Sequence, residues 1–206
     1  MTEWNMGAAV LPQAAWLPLW VKLSWAIVVS ATVLRVSGGI RQAPWLAALV
    51  GVALLLPRVD VLSGYLALVF QTPSLVLVAW GLWCWGDVWL QRKPVSTTPW
   101  GVALLGVLLG WALVVDTLNY WPVWFNPQLY ALGFEASGLW LVLALTAGGL
   151  WVCDVPQRWM WSAWAVLLVY AVLRLPTGNV WDALLDPFVW LALHVQLWRT
   201  WRASRS

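Results

Sequence analysis

Few side chains in this sequence can do chemistry, and most of those that can lie in its second half. Eight stand out by type and spacing: Asp116, Asn119, Glu135, Arg174, Asn179, Asp182, Asp186 and His194. Asp182 and Asp186 are four residues apart, so a continuous helix would carry both carboxylates on one face. Such a pair can hold a divalent cation or divide acid and base roles. Their neighbours raise a competing expectation. Asp186-Pro187 reads as an N-cap followed by a first-turn proline, and Asn179 can cap a short helix with Asp182 at its third position.

Arg174 falls within about one turn of the end of an apolar run. A charge at the edge of hydrocarbon costs free energy unless it is paired or wet, and Asp182, Asp186 and Asp116 are its natural counter-ions. The set can serve as salt bridges and caps that fix helix ends, as a polar pocket for a headgroup, sugar or ion, or as a hydrolytic or transfer site. His194 is the sole histidine and lies roughly 10 Å along a helix from Asp186. It reads either as a core histidine bonded to a neighbouring helix or as a proton carrier or single ligand to a pigment or haem. A single histidine excludes a bis-histidine haem within the chain. No metal site is expected, because Cys84 and Cys153 lack ligand spacing and both fall near cytoplasmic helix ends, where a disulfide is not expected either. HExxH, CxxC, GxSxG and phosphate-binding glycine loops are absent, so no catalytic residues can be assigned.

What must position these residues is almost wholly apolar. Hydrophobic residues make up 63% of the chain, charged ones only 9%, and mean hydropathy is +0.78, far from a soluble balance. A spanning helix takes roughly 20 apolar residues. Six or seven of them would consume about two thirds of the 206 residues and leave no room for a soluble domain. The expected fold is therefore all-α, a polytopic transmembrane helix bundle forming one integral domain over residues 1–206. Its spans are expected at about 19–34, 44–56, 73–90, 99–115, 137–152, 159–175 and 187–201. Seven is the preferred count and six the alternative, since 44–56 is short. Residues 59–71 place Leu62, Tyr65, Leu66 and Val69 on one stripe and predict an amphipathic helix lying in the interface.

Two small-residue faces, Gly106-x-x-x-Gly110 and Ala144-x-x-x-Gly148, let other helices approach closely. The 22 tryptophans suit interfacial anchoring and bulky packing. They also suit a stacking site for a flat ligand such as a quinone, tetrapyrrole or carotenoid. Met1–Gln13 contain Glu3 and no basic n-region, so a cleavable signal peptide is not expected.

Orientation follows from charge. With seven spans and the N-terminus outside, Arg35, Arg41, Arg92, Lys93, Arg158, Arg199, Arg202 and Arg205 lie in the cytoplasm, eight of eleven basic residues. Glu3, Asp60, Asp116, Glu135, Asp182 and Asp186 then lie outside, six of eight carboxylates. Lys22, Arg58 and Arg174 are left toward the outside. Asp87 is expected to pair with Arg92 or Lys93 at the inner end.

The basic residues are scattered singly, which argues against nucleic acid as a partner. The bilayer and other membrane subunits are the expected partners. The sequence therefore points to a multi-pass protein of the inner (plasma) membrane, a non-catalytic accessory subunit or a binder of a lipid-like or aromatic ligand. An enzyme or carrier for a lipid-linked substrate at the outer leaflet, and a small proton-coupled transporter using His194, are the alternatives.

Overall fold

The computed structural model describes residues 11–38, 40–57, 60–92, 98–122, 124–152 and 156–205. Glu3, Gly39, Arg58, Lys93, Cys153 and Asp154 lie outside the described residues, as do the readings made for them. Ten helices and no strand occur among the described residues: α1 (Leu17–Val36), α2 (Ala43–Leu55), α3 (Asp60–Phe70), α4 (Leu75–Trp89), α5 (Trp100–Thr117), α6 (Leu129–Leu132), α7 (Ala136–Val152), α8 (Gln157–Leu173), α9 (Val180–Leu184) and α10 (Pro187–Ala203). Each expected span falls on a helix. The expected interfacial segment is α3, and α9 is the short helix that Asn179 was expected to cap. By length and composition, α1 and α5 are long and apolar enough to cross a membrane, while α2, α4 and the described parts of α3 and α7 are shorter apolar helices.

The chain divides into two compact units, one of Gln13–Ser96 and one built on Thr97–Ser206. In the first, α1 is the central helix. Its inward face carries the small residues Ser24, Ala26, Ser30 and Ala31 beside Trp25, Val28 and Leu34, all buried. Gly51 of α2 sits over Ser30 and Ala26, while Ala43 and Ala47 join Ala31 and Leu34 in one apolar cluster, so α2 runs antiparallel to α1. Gly81 of α4 meets Ile27 and Trp85 meets Ser30, so α4 runs parallel to α1. The Ser30 hydroxyl ties the crossing by donating to Ile27 O at 3.0 Å and accepting from Trp85 Nε1 at 3.0 Å. An interhelical bond of this kind contributes about 0.6 kcal/mol in a membrane.

In α3 most of the apolar residues are exposed. Ser63 is buried, whereas Val61, Leu62, Tyr65, Leu68 (84% exposed) and Val69 face outward. Gly64 is exposed as well, and Leu66 and Ala67 are half-buried.

In the second unit, α5 and α10 pack antiparallel through the expected glycine face. A Cβ on Gly106 would meet the Leu193 side chain, and one on Gly110 would collide with the indole of Trp190. Trp190 Nε1 donates to Val107 O at 3.3 Å, so the indole N–H is satisfied inside the helix pair. The second small-residue stripe behaves otherwise: nothing lies within 4 Å of a Cβ built on Gly148, and Ala144 is exposed.

Four helices among the described residues are followed by a left-handed residue other than glycine. Asn119 after α5 (φ 54°) and Gln91 after α4 (φ 49°) are left-handed. In each case the next two N–H groups turn back: Asn119 N to Asp116 O and Tyr120 N to Val115 O, Gln91 N to Val88 O and Arg92 N to Asp87 O. These are complete Schellman closures, which satisfy the orphan carbonyls. Arg174 after α8 (φ 56°) and Gln71 after α3 (φ 64°) are the other two.

Candidate functional site

At one end of the second unit, the C-termini of α5 and α8 meet the N-termini of α7 and α10, together with α6 and α9. The residue that organises this end is Tyr130, the second residue of the short α6, inside the proline- and aromatic-rich stretch between Asp116 and Glu135. Its N–H donates to Asp116 Oδ2 at 2.8 Å, and its carbonyl accepts from Asn179 Nδ2 at 2.9 Å. Its hydroxyl reaches Asp182 Oδ2 at 3.0 Å. Backbone and side chain thus tie α6 to two other helices, the C-terminal end of α5 and the short α9.

Asn179 is fully buried and uses both ends of its amide. While Nδ2 holds Tyr130, Oδ1 accepts from Trp181 N at 2.9 Å and caps α9. Gly133 lies against this amide so closely that a Cβ there would overlap Asn179 Oδ1 and the Trp181 ring. Val180 N in turn donates to Gly133 O at 2.9 Å. The indole of Trp181 donates to Leu129 O at 2.7 Å. Tyr170, buried in α8, donates its hydroxyl to Gly178 O at 2.6 Å and lies 3.2 Å from Gly133 O.

Four of the sequence candidates therefore come together here: Asp116, Arg174, Asn179 and Asp182. Their partners differ from the expected ion pairs. Arg174 stacks over the Tyr170 ring, Cζ 5.2 Å from its centroid, and donates to Tyr170 Oη at 3.3 Å. Asp182 accepts from the hydroxyls of Tyr130 and of Thr177, the latter at 2.6 Å. Asp116 accepts from Trp121 Nε1 at 3.0 Å as well as from Tyr130 N.

Burial first, and then the adjacent Asp182 carboxylate, push the Tyr130 hydroxyl up to about 12 from its ordinary 10.0. It stays protonated, as a donor to a carboxylate must.

The shared face of Asp182 and Asp186 is not formed. The helix stops at Leu184, Leu185 is extended (φ −133°, ψ 113°), and Asp186 caps α10 by accepting from Val189 N at 2.8 Å. The two carboxylates serve different helices, and among the described residues no group of three His, Cys, Asp or Glu is arranged to hold a metal. Asn119 and Glu135 lie at the exposed margin. Asn119 closes α5, and Glu135 accepts from Ser137 Oγ at 2.8 Å just before α7.

No known protein family, curated protein or solved structure matches the chain. The chemistry must be read from the residues alone.

His194 stands apart on α10. Its Nδ1 is 2.9 Å from Trp190 O. A carbonyl only accepts, so Nδ1 carries the proton and a neutral ring presents Nε2 bare. Trp190 and Trp111 flank the ring edge-to-face, at 4.9 and 6.4 Å between centroids.

The sequence reading missed Tyr130, Tyr170 and Gly133. Only the two tyrosines carried a signal: a phenol beside Asp-rich helix ends has few other acceptors within an apolar chain. Gly133 carried none.

Proposed function

We propose that the chain is a polytopic inner-membrane protein with seven crossings, its N-terminus outside and its C-terminus in the cytoplasm. It serves without chemistry of its own as a subunit packed among other membrane helices. The observation that carries the non-catalytic part is the state of the polar end. Asp116, Asn179, Asp182 and Arg174 each already answer another group of the same chain. An enzyme or carrier for a lipid-linked substrate would need one of them held ready for that substrate. What they supply instead is a bonded network that joins the C-terminal ends of α5 and α8 to the short helices α6 and α9.

The broad exposure of large apolar side chains, together with buried serines, supports the bilayer as solvent. Small and polar residues (Ser24, Ser30, Ser63, Ser74) are inside, while Trp45, Leu68, Trp89, Trp140 and Leu168 are among the most exposed. The helix directions support the count of crossings. With α2 antiparallel and α4 parallel to α1, α3 joins two helix ends on one side and need not cross. The four long helices of the second unit alternate through the polar end. At the other end of α10, Arg202 and Arg205 stack over Trp198 and Trp201 at 4.0 and 3.9 Å, the pairing of basic and indole groups that suits a cytoplasmic headgroup layer. A face left for a partner helix is at hand in Ala144 and Gly148.

Purification in mild detergent tests the reading. A stoichiometric membrane partner, and a fall in melting temperature when it is stripped away, are expected. A lone, monodisperse chain of unchanged stability would overturn the subunit assignment.

A further inference from the structure

Between the C-terminal ends of α1 and α4 lies a cavity of about 430 Å³, lined by Leu34, Arg35, Cys84, Asp87, Val88, Gln91 and Arg92. Its size is that of a small-ligand site. Leu34 and Cys84 form a buried apolar floor, and the rim carries two guanidiniums against one carboxylate. We propose that this cavity binds a phosphate group, with Arg35 and Arg92 as the two clamps and the Gln91 amide as a further donor.

Guanidiniums match phosphate oxygens by paired N–H donors and remain charged at every working pH. A helix C-terminus would ordinarily repel an anion through its free carbonyls. Here the nearest carbonyls are taken. Arg92 N and Gln91 N close α4 onto Asp87 O and Val88 O, and Ser37 N and Gly38 N close α1 onto Val33 O and Arg35 O. Asp87 trims the positive charge, which favours a diester or monoester over a cluster of anions and keeps the affinity moderate. The apolar floor would take the first carbons of an attached chain.

Two sources carry this chemistry: the headgroup of an anionic glycerophospholipid, which rests on the membrane reading above, and a soluble phosphate, which does not. Basic pockets between membrane helices on the cytoplasmic side are known headgroup sites, and Arg35, Arg41 and Arg92 mark that side here.

The test uses the full chain in nanodiscs of phosphatidylcholine alone or with one third phosphatidylglycerol, and in detergent with inorganic phosphate. Lipid retained in native mass spectrometry and the melting temperature are read out. Selective retention of phosphatidylglycerol, weakened roughly fivefold for each of Arg35→Gln and Arg92→Gln, supports the site with lipid as its source. Stabilisation by inorganic phosphate without lipid selectivity supports it with a soluble source, and does so even if the chain fails to enter nanodiscs, an outcome that defeats the membrane reading alone. Asp87→Asn is expected to tighten either ligand and does not depend on the arginine variants folding. Arg202→Gln with Arg205→Gln is expected to leave the selectivity intact. Wild-type indifference to both ligands, or an anionic-lipid effect undiminished in Arg35→Gln/Arg92→Gln, would overturn the proposal.

Discussion

Tyr130 concentrates the residue-scale physics of the polar end, because one phenol serves as donor to a carboxylate while its backbone ties α5 to Asn179. Its hydroxyl titrates near 12 in the fold and near 10.0 when free of it. Between those values the unfolded chain has released a proton that the native chain retains. The unfolded state is therefore favoured progressively as pH rises. The contribution is complete below pH 10 and is lost through pH 12. Asp182→Asn removes the second and third causes of the shift and leaves burial. Tyrosinate absorbance in that variant is expected to show one phenol titrating closer to its ordinary value, and the alkaline loss of melting temperature is expected to shrink. An unchanged titration would detach Tyr130 from Asp182. Asn179→Ala removes a helix cap and strands the Tyr130 carbonyl. The cap is worth about 1 kcal/mol and the stranded acceptor about 1–3 kcal/mol, so thermal unfolding should report a loss of about 2–4 kcal/mol. Gly133→Ala is expected to act in the same direction, because its Cβ has no room beside the Asn179 amide.

At the scale of elements, two small-residue stripes that look alike in sequence have different fates. Gly110 is filled by the Trp190 indole, while Gly148 meets nothing of its own chain. Gly110→Leu must displace the indole from its bond to Val107 O, and overpacking of this kind costs about 1–3 kcal/mol. Gly148→Leu should leave the melting temperature of the isolated chain unchanged or slightly raised, since leucine is the better helix former by about 0.8 kcal/mol. It should weaken only an assembly that uses that face, which blue-native electrophoresis would reveal. Helix positions were legible from the sequence because apolar runs bounded by Pro18, Pro44, Pro99 and Pro187 leave little choice of start. Capping was legible for the same local reason: Asn179 and Asp186 lie next to the N–H groups they accept from. The partners of Arg174 were not legible. The expectation paired it with carboxylates by charge, whereas it closes α8 in a left-handed conformation that brings its guanidinium back over Tyr170, one turn earlier in the same helix. The shared Asp182–Asp186 face required a continuous helix, and the competing capping reading holds instead, because Leu185 turns extended and Asp186 caps α10.

For the whole molecule, the proposed seven-crossing arrangement turns on the parity of crossings. In the first unit α1 and α4 point the same way with α2 returning between them, so Arg35 and Arg92 share one end of that unit. The second unit joins the C-terminal ends of α5 and α8 to the N-terminal ends of α7 and α10, so Glu135 and Asp186 share one side and Arg202 takes the other. A cysteine scan on a background with Cys84 and Cys153 replaced by serine tests this directly. A membrane-impermeant maleimide applied to intact cells should label Glu135→Cys. It should reach Ser37→Cys, Arg92→Cys and Ser204→Cys only after the membrane is opened. A fluorophore at Leu68→Cys should be quenched by lipids carrying a quencher near the headgroup and not by one at the bilayer centre, because α3 is expected to lie along the interface. Removing α2 from the set of crossings would put Ser37 and Arg92 on opposite faces. That outcome would sink the seven-crossing arrangement while leaving the polar end of the second unit intact, since Tyr130, Asn179 and Asp182 owe their contacts to the second unit alone.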